Sequence, residues 1–178
     1  MSRPLPPVPV VLALGSNLGD AAAHLQGAVD ALSATDGLTV HRVSPVVETD
    51  PVGGPEQSAY LNAVVVASTS LTPSELLGRC QQIEAAHDRV REIRWGPRTL
   101  DVDVITYGET VDDDERLTLP HPRAHERAFV LVPWSLADPD AVLPGPLGGR
   151  VADLADRAGD RAGVRARPDV VLVTGGAR

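Results

Sequence analysis

Apolar positions along this chain change their spacing several times, and each change marks an element. Residues 8–14 form an unbroken apolar run of strand length, the pattern of a strand buried on both faces. Gly15-Ser16-Asn17-Leu18-Gly19-Asp20 interrupts it. Leu25, Ala28, Val29 and Leu32 then recur three and four apart, which predicts a helix with one buried stripe, ended at Gly37. Residues 38–47 predict a second strand, 49–59 a long loop carrying Pro51, Gly53, Gly54 and Pro55, and 61–67 a third strand. Thr72-Pro73-Ser74-Glu75 is a helix start, with a capping threonine, a proline in the first helical position and a glutamate to close a capping box. Leu76, Cys80 and Ile83 give that helix its apolar stripe, leaving Gln81, Glu84 and Asp88 on a polar flank. Residues 100–107 predict a fourth strand. A short helix at about 124–131, a Pro/Gly-rich stretch at 139–149, a small helix near 151–158 and an apolar run at 170–173 complete the pattern.

Taken in order, the elements give β-α-β-β-α-β, an α+β arrangement of the ferredoxin-like kind. It has an antiparallel sheet, both helices on one face, and the other face open for a site. A single domain over 1–178 is expected, with residues from about 159 onward as a C-terminal tail. Alternation along the fourth strand sends Leu100, Val102 and Val104 to the helix side. Asp101 and Asp103 then share the opposite side with Asn62, about 6.5–7 Å apart.

The stretch Arg94-Trp95-Gly96-Pro97-Arg98-Thr99-Leu100-Asp101-Val102-Asp103 concentrates the chemistry. Asp-x-Asp alone is usually a solvated strand face. Here the two aspartates interrupt a Val/Ile-rich run, where Asp is disfavoured, and follow Arg89, Arg91, Arg94 and Arg98. Neighbouring carboxylates can bridge a pair of Mg²⁺ ions, and guanidinium forks match phosphate oxygens, so the stretch reads as half of a metal-nucleotide site. The run Asp112-Asp113-Asp114-Glu115 reads as a solvated loop. All 16 basic residues are arginine, which excludes a P-loop lysine, a kinase strand lysine and Schiff-base chemistry. The missing lysine also fits a GC-rich coding bias. A net charge of −8 argues against a nucleic-acid or membrane-surface binder. One cysteine, Cys80, and no run long enough to span a bilayer suit a cytoplasmic protein.

Gly15-Ser16-Asn17, Tyr60-Leu61-Asn62-Ala63, the 94–103 stretch and Leu119-Pro120-His121-Pro122 occur with an order and spacing that resembles the 6-hydroxymethyl-7,8-dihydropterin pyrophosphokinase family of folate biosynthesis, over about residues 10–145. The resemblance implies Mg²⁺-dependent transfer of the β,γ-diphosphoryl group of ATP to the pterin hydroxymethyl oxygen, releasing AMP. It implies two Mg²⁺ on Asp101 and Asp103, with Arg89 and Arg98 as catalytic arginines and Arg91 as a nucleotide-loop arginine. Gln81, Glu84, Trp95, Val104, Thr118, His121 and Arg127 match positions around ATP. For Glu84 taken alone, a helix-surface carboxylate is the default, and for His121 a structural hydrogen bond. Thr49, Val52, Tyr60, Asn62, Trp95 and Phe129 match the pterin site, which suits a chain with only five aromatic residues. Ser16 and Asn17 match a signature whose simplest explanation is local turn and capping bonds. Three features depart from the family pattern: the loop between Arg91 and Arg94 is one residue shorter than in some members, Asp50 precedes Pro51 where Pro-Pro is familiar, and Pro122 follows His121 where some members carry Tyr. The expected partners are small molecules only, and the expected state is a monomer. Loops 49–59 and 89–98 are expected to close over nucleotide.

Two other readings fit parts of the pattern. Nucleotidyltransferases also pair Gly-Ser with Asp-x-Asp, but there the Gly-Ser lies about a dozen residues upstream, whereas Gly15-Ser16 is much farther from Asp101. An RNA-binding ferredoxin-like module would need basic, aromatic sheet positions that this acidic chain lacks.

Overall fold

The chain runs through β1 (Val8–Ser16), α1 (Ala21–Ser33), β2 (Leu38–Val43), β3 (Val47–Thr49), β4 (Tyr60–Thr69), α2 (Pro73–Ala86), β5 (Asp101–Tyr107), α3 (Ala128–Ala137), β6 (Val142–Leu143), β7 (Gly149–Arg150), α4 (Val151–Arg157) and β8 (Arg165–Ala166). The computed structural model describes residues 6–50, 58–87 and 99–174. β1 lies between β4 and β5, antiparallel to both. The far side of β4 pairs with β2 along one half and with β3 along the other, and β8 pairs with the outer edge of β3. No helix among the described residues is long and apolar enough to cross a membrane.

α1 and α2 cover one face, as the helical spacing predicts. Leu25, Val29 and Leu32 of α1 and Leu76, Cys80 and Ile83 of α2 pack on Leu12, Leu14, Val65, Val102 and Val104. The capping box of α2 is complete: the Thr72 hydroxyl accepts from the Glu75 amide at 3.2 Å, and the Glu75 carboxylate accepts from the Thr72 amide at 3.0 Å.

Three expectations need correction. The second strand is not continuous over 38–47. Pro45 has no amide to give the ladder, and the chain breaks there into β2 and β3. Ser44 bridges the break: its amide donates to the Val64 carbonyl at 2.9 Å and its buried hydroxyl accepts from the Val64 amide at 2.8 Å. The helix expected at 124–131 is instead a short 3-10 turn, Ala124–Glu126, followed by α3, which continues through Pro133. Asp160 takes the role of a cap from a distance, its carboxylate accepting from the Ala128 amide at 2.9 Å. The face opposite α1 and α2 is also not wholly open. Leu131 and Trp134 of α3 and Val151 and Ala155 of α4 bury Val11, Val47, Val64 and Ile105 there, a second core that keeps Asp101 and Asp103 only partly exposed beside it.

Candidate active site

The strand register builds the floor of the site. Gly15 lies opposite Asn62 on one side and Asp101 on the other, while Ala13 lies opposite Val64 and Asp103. Leu61, Ala63, Val102 and Val104 fill the core under the helices, so Asn62, Asp101 and Asp103 project from the other face. The expected pair of adjacent carboxylates is therefore present, about 6.5–7 Å apart along β5. Between them and Asn62 the floor is bare backbone. A Cβ on Gly15 would stand 3.1 Å from the Asn62 Oδ1, so only glycine leaves that gap without displacing the amide.

Asn62 is buried, and its Nδ2 donates to the Thr49 Oγ1 at 3.1 Å. Its Oδ1 is left over Gly15 as an acceptor facing the floor. Thr49 pairs with Tyr60 across β3 and β4, and both keep partial exposure. Thus Thr49, Tyr60 and Asn62 gather at one end of the floor, and Asp101 and Asp103 at the other.

Ser16 and Asn17 do not make the local bonds expected of them. The cap of α1 is Asp20, whose carboxylate accepts from the Ala23 amide at 3.1 Å. The fully buried Ser16 hydroxyl instead donates to the Thr99 carbonyl, and the Asn17 Nδ2 donates to the Ser58 carbonyl at 2.9 Å. The signature pins the points where the chain re-enters the sheet on both sides of the floor. A polar Gly-Ser-Asn following a wholly apolar strand was the signal for this, although its partners are far away in sequence.

Glu84 departs from a helix-surface carboxylate as well. It is buried on α2 and accepts the Val102 amide at 2.9 Å, between the two aspartates. Together with Asp103, it adds to burial in raising the Cys80 thiol to about 12. Gln81 is exposed on the same helix. The Val104 side chain is in the helix-side core, so only its backbone can face the site.

On the far side of β5, the His121 amide donates to the Ile105 carbonyl at 2.8 Å. The His121 Nδ1 accepts from the Arg123 amide at 3.2 Å, which puts the ring proton on Nε2. Burial, then Arg127 and Arg123, lowers its pKa to about 4, so the ring is a neutral donor. Arg127 lies over the Phe129 ring at 5.6 Å and is acted on by the Asp103 carboxylate. Thr118 donates to the Asp114 carbonyl at 3.0 Å, closing an exposed loop that holds the acidic run in solvent, as expected. Arg89, Arg91, Arg94, Trp95, Arg98 and Val52 lie outside the described residues, as do most of loops 49–59 and 89–98.

Among the described residues no cluster of three or more His, Cys, Asp or Glu side chains forms a metal cage. The donor set is two hard carboxylates on one strand face. Mg²⁺ characteristically takes one or two carboxylates and completes its shell with water and phosphate, so these residues fit it.

The model of the 7,8-dihydro-6-hydroxymethylpterin-pyrophosphokinase family matches residues 11–139. The chain is 52% identical over 134 residues to the 2-amino-4-hydroxy-6-hydroxymethyldihydropteridine pyrophosphokinase of Methylorubrum extorquens, covering 75% of this chain and 85% of that one. It is 46% identical over 165 residues to the enzyme of the same name from Mycobacterium tuberculosis, covering 83% and 86%. Among solved structures, a Plasmodium falciparum HPPK-DHPS triple mutant superposes with a TM-score of 0.68 at 14% identity, over 85% of this chain and 43% of that longer one. At that identity the likeness concerns the fold alone.

Proposed function

The chain belongs to the 7,8-dihydro-6-hydroxymethylpterin-pyrophosphokinase family and is a diphosphotransferase, and we propose that it transfers the β,γ-diphosphoryl group of ATP to 6-hydroxymethyl-7,8-dihydropterin, releasing AMP, as a step of folate biosynthesis. The single observation that carries this reading is the shared floor: Asp101 and Asp103 on one side of Gly15, the Asn62–Thr49 pair on the other.

Asp101 and Asp103 are the residues that would hold two Mg²⁺ ions. When bound, the ions neutralise polyphosphate charge and align the attacking and leaving oxygens. The protein's own groups supply position. Asn62 offers an oxygen acceptor to an N–H of the heterocycle, its orientation set by Thr49. Tyr60 and Phe129 offer ring faces near either end of the site. Arg127 brings a cation next to Asp103, where phosphate charge would gather. His121 offers a neutral Nε2–H that donates without adding charge. Arg89 and Arg98 match the catalytic arginines of the family pattern and would meet phosphate charge of the nucleotide.

Incubation with Mg²⁺, ATP and the hydroxymethyl dihydropterin, followed by nucleotide chromatography, tests the reading. One AMP per diphosphorylated pterin is the expected result; ADP or free pyrophosphate overturns it. Asp101→Asn and Asp103→Asn should each lower kcat by about a hundred-fold or more, since metal-stabilised transition-state charge is worth several kcal/mol. Their melting temperatures should be retained, because neither side chain packs in either core.

A further inference from the structure

Asp50, one of the departures from the family pattern, has its partner in the C-terminal tail. β8 adds to the outer edge of β3, with Ala166 opposite Val47 and Arg165 opposite Glu48. The Arg165 guanidinium forks onto Asp50, Nη1 to Oδ2 at 3.3 Å and Nη2 to Oδ1 at 3.1 Å, while its Nε reaches the Glu48 Oε2 at 3.4 Å. Arg167 holds the other Glu48 oxygen at 3.4 Å, and its amide donates to the Val46 carbonyl at 3.0 Å. Asp169 in turn fixes Arg167 with bonds of 2.9 and 2.8 Å. The residue enclosed by Glu48 and Asp50 is Thr49, whose hydroxyl orients the Asn62 amide.

We propose that Arg165 is a positioning residue for the pterin half of the site. By gripping the residues on both sides of Thr49, it fixes the hydroxyl that sets the direction of the Asn62 oxygen. The inference rests on Asn62 and Thr49 being pterin contacts. The Arg165 and Asp50 side chains are 45% and 74% exposed, and such pairs taken singly contribute little. What gives this one leverage is convergence: two arginines, three acids and a strand pairing meet on β3 and the residue that follows it. The tail, which carries no family motif, thereby becomes part of the substrate site.

The test uses the full-length protein with Arg165→Ala, Asp50→Ala and the double variant, measuring the equilibrium Kd for the pterin, kcat, and the KM for MgATP. Each single variant should weaken pterin binding by about three- to five-fold, the scale of one partly exposed ion pair, with kcat and the MgATP KM unchanged. The double variant should be no worse than Arg165→Ala alone, because the arginine variant already removes the Asp50 contact along with its own bond to Glu48. Raising ionic strength should weaken pterin binding to the unaltered protein more than to Arg165→Ala. Unchanged pterin affinity in the single variants, additive losses in the double, or equal losses for both substrates would each overturn the proposal. If the unaltered protein binds no pterin, the reading of the site fails and this inference with it; intact binding with an unaffected variant defeats this inference alone.

Discussion

His121 shows how much one side chain depends on contacts that no local pattern announces. Its sequence context, Leu119-Pro120-His121-Pro122, marks a position without saying which charge state it holds. In the fold, burial and two arginines push its pKa down to about 4, and the Arg123 amide occupies Nδ1. The unfolded chain binds a proton near pH 6.5 that the folded chain refuses until about pH 4. Between those values the unfolded state holds more protons, so stability is complete above about 6.5 and falls as pH drops toward 4. His121→Asn keeps an acceptor for the Arg123 amide and removes the titration. Denaturant unfolding from pH 7 to pH 4 should therefore show a shallower loss in the variant. The difference should be on the order of 1–2 kcal/mol once solvent screening of this partly exposed ring is allowed for. Parallel pH profiles would show that another group carries the slope. The same contrast runs through the rest of the site. Strand alternation alone placed Asp101 and Asp103 side by side, whereas the Glu84 bond to Val102 and the Ser16 bond to Thr99 arise only when elements far apart in sequence pack together.

Among the elements, those with a strong periodic or capping signal were legible, and those shaped by a proline or by a distant partner were not. α1, α2, β1, β4 and β5 follow their apolar spacing closely. Pro45 splits what reads as one strand, and Ser44 makes the split tolerable by giving the Val64 amide a hydroxyl in place of a backbone carbonyl. Ser44→Ala leaves that buried amide without its acceptor, at a cost of about 1–3 kcal/mol. Urea unfolding should show the midpoint falling with the slope unchanged. A loss below about 0.5 kcal/mol would mean the break tolerates an unpaired amide through some other adjustment. α3 is the converse case. Pro133 argues for an early helix end, yet Leu131 and Trp134 gain a core position on Val64 and Ile105, and that burial outweighs one missing backbone bond.

At the scale of the whole molecule, two cores on opposite faces of one sheet share β1, β4 and β5, and the candidate site lies on the strip between the second core and the sheet's end. Ligands that bind across the floor contact strands belonging to both cores, so their binding energy should appear as stability of the entire fold. A ligand present at a hundred times its Kd adds about 2.7 kcal/mol to a protein that binds it only when folded. For a chain of this size each kcal/mol moves the melting temperature by about 2–4 °C, so saturating MgATP should raise it by roughly 5–10 °C. The rise should collapse when EDTA removes the metal, because the polyphosphate then meets carboxylates with no cation between them, and in Asp101→Asn and Asp103→Asn, because each removes an anionic ligand proposed to hold that cation. Differential scanning fluorimetry with ATP, MgATP and MgATP plus EDTA separates the outcomes without any need for turnover. A shift of equal size in EDTA would place nucleotide binding elsewhere on the molecule and leave the paired aspartates without a role in it. A magnesium-dependent shift, lost in both variants, is the result expected of Asp101 and Asp103 in the proposed role of metal ligands, side by side on β5.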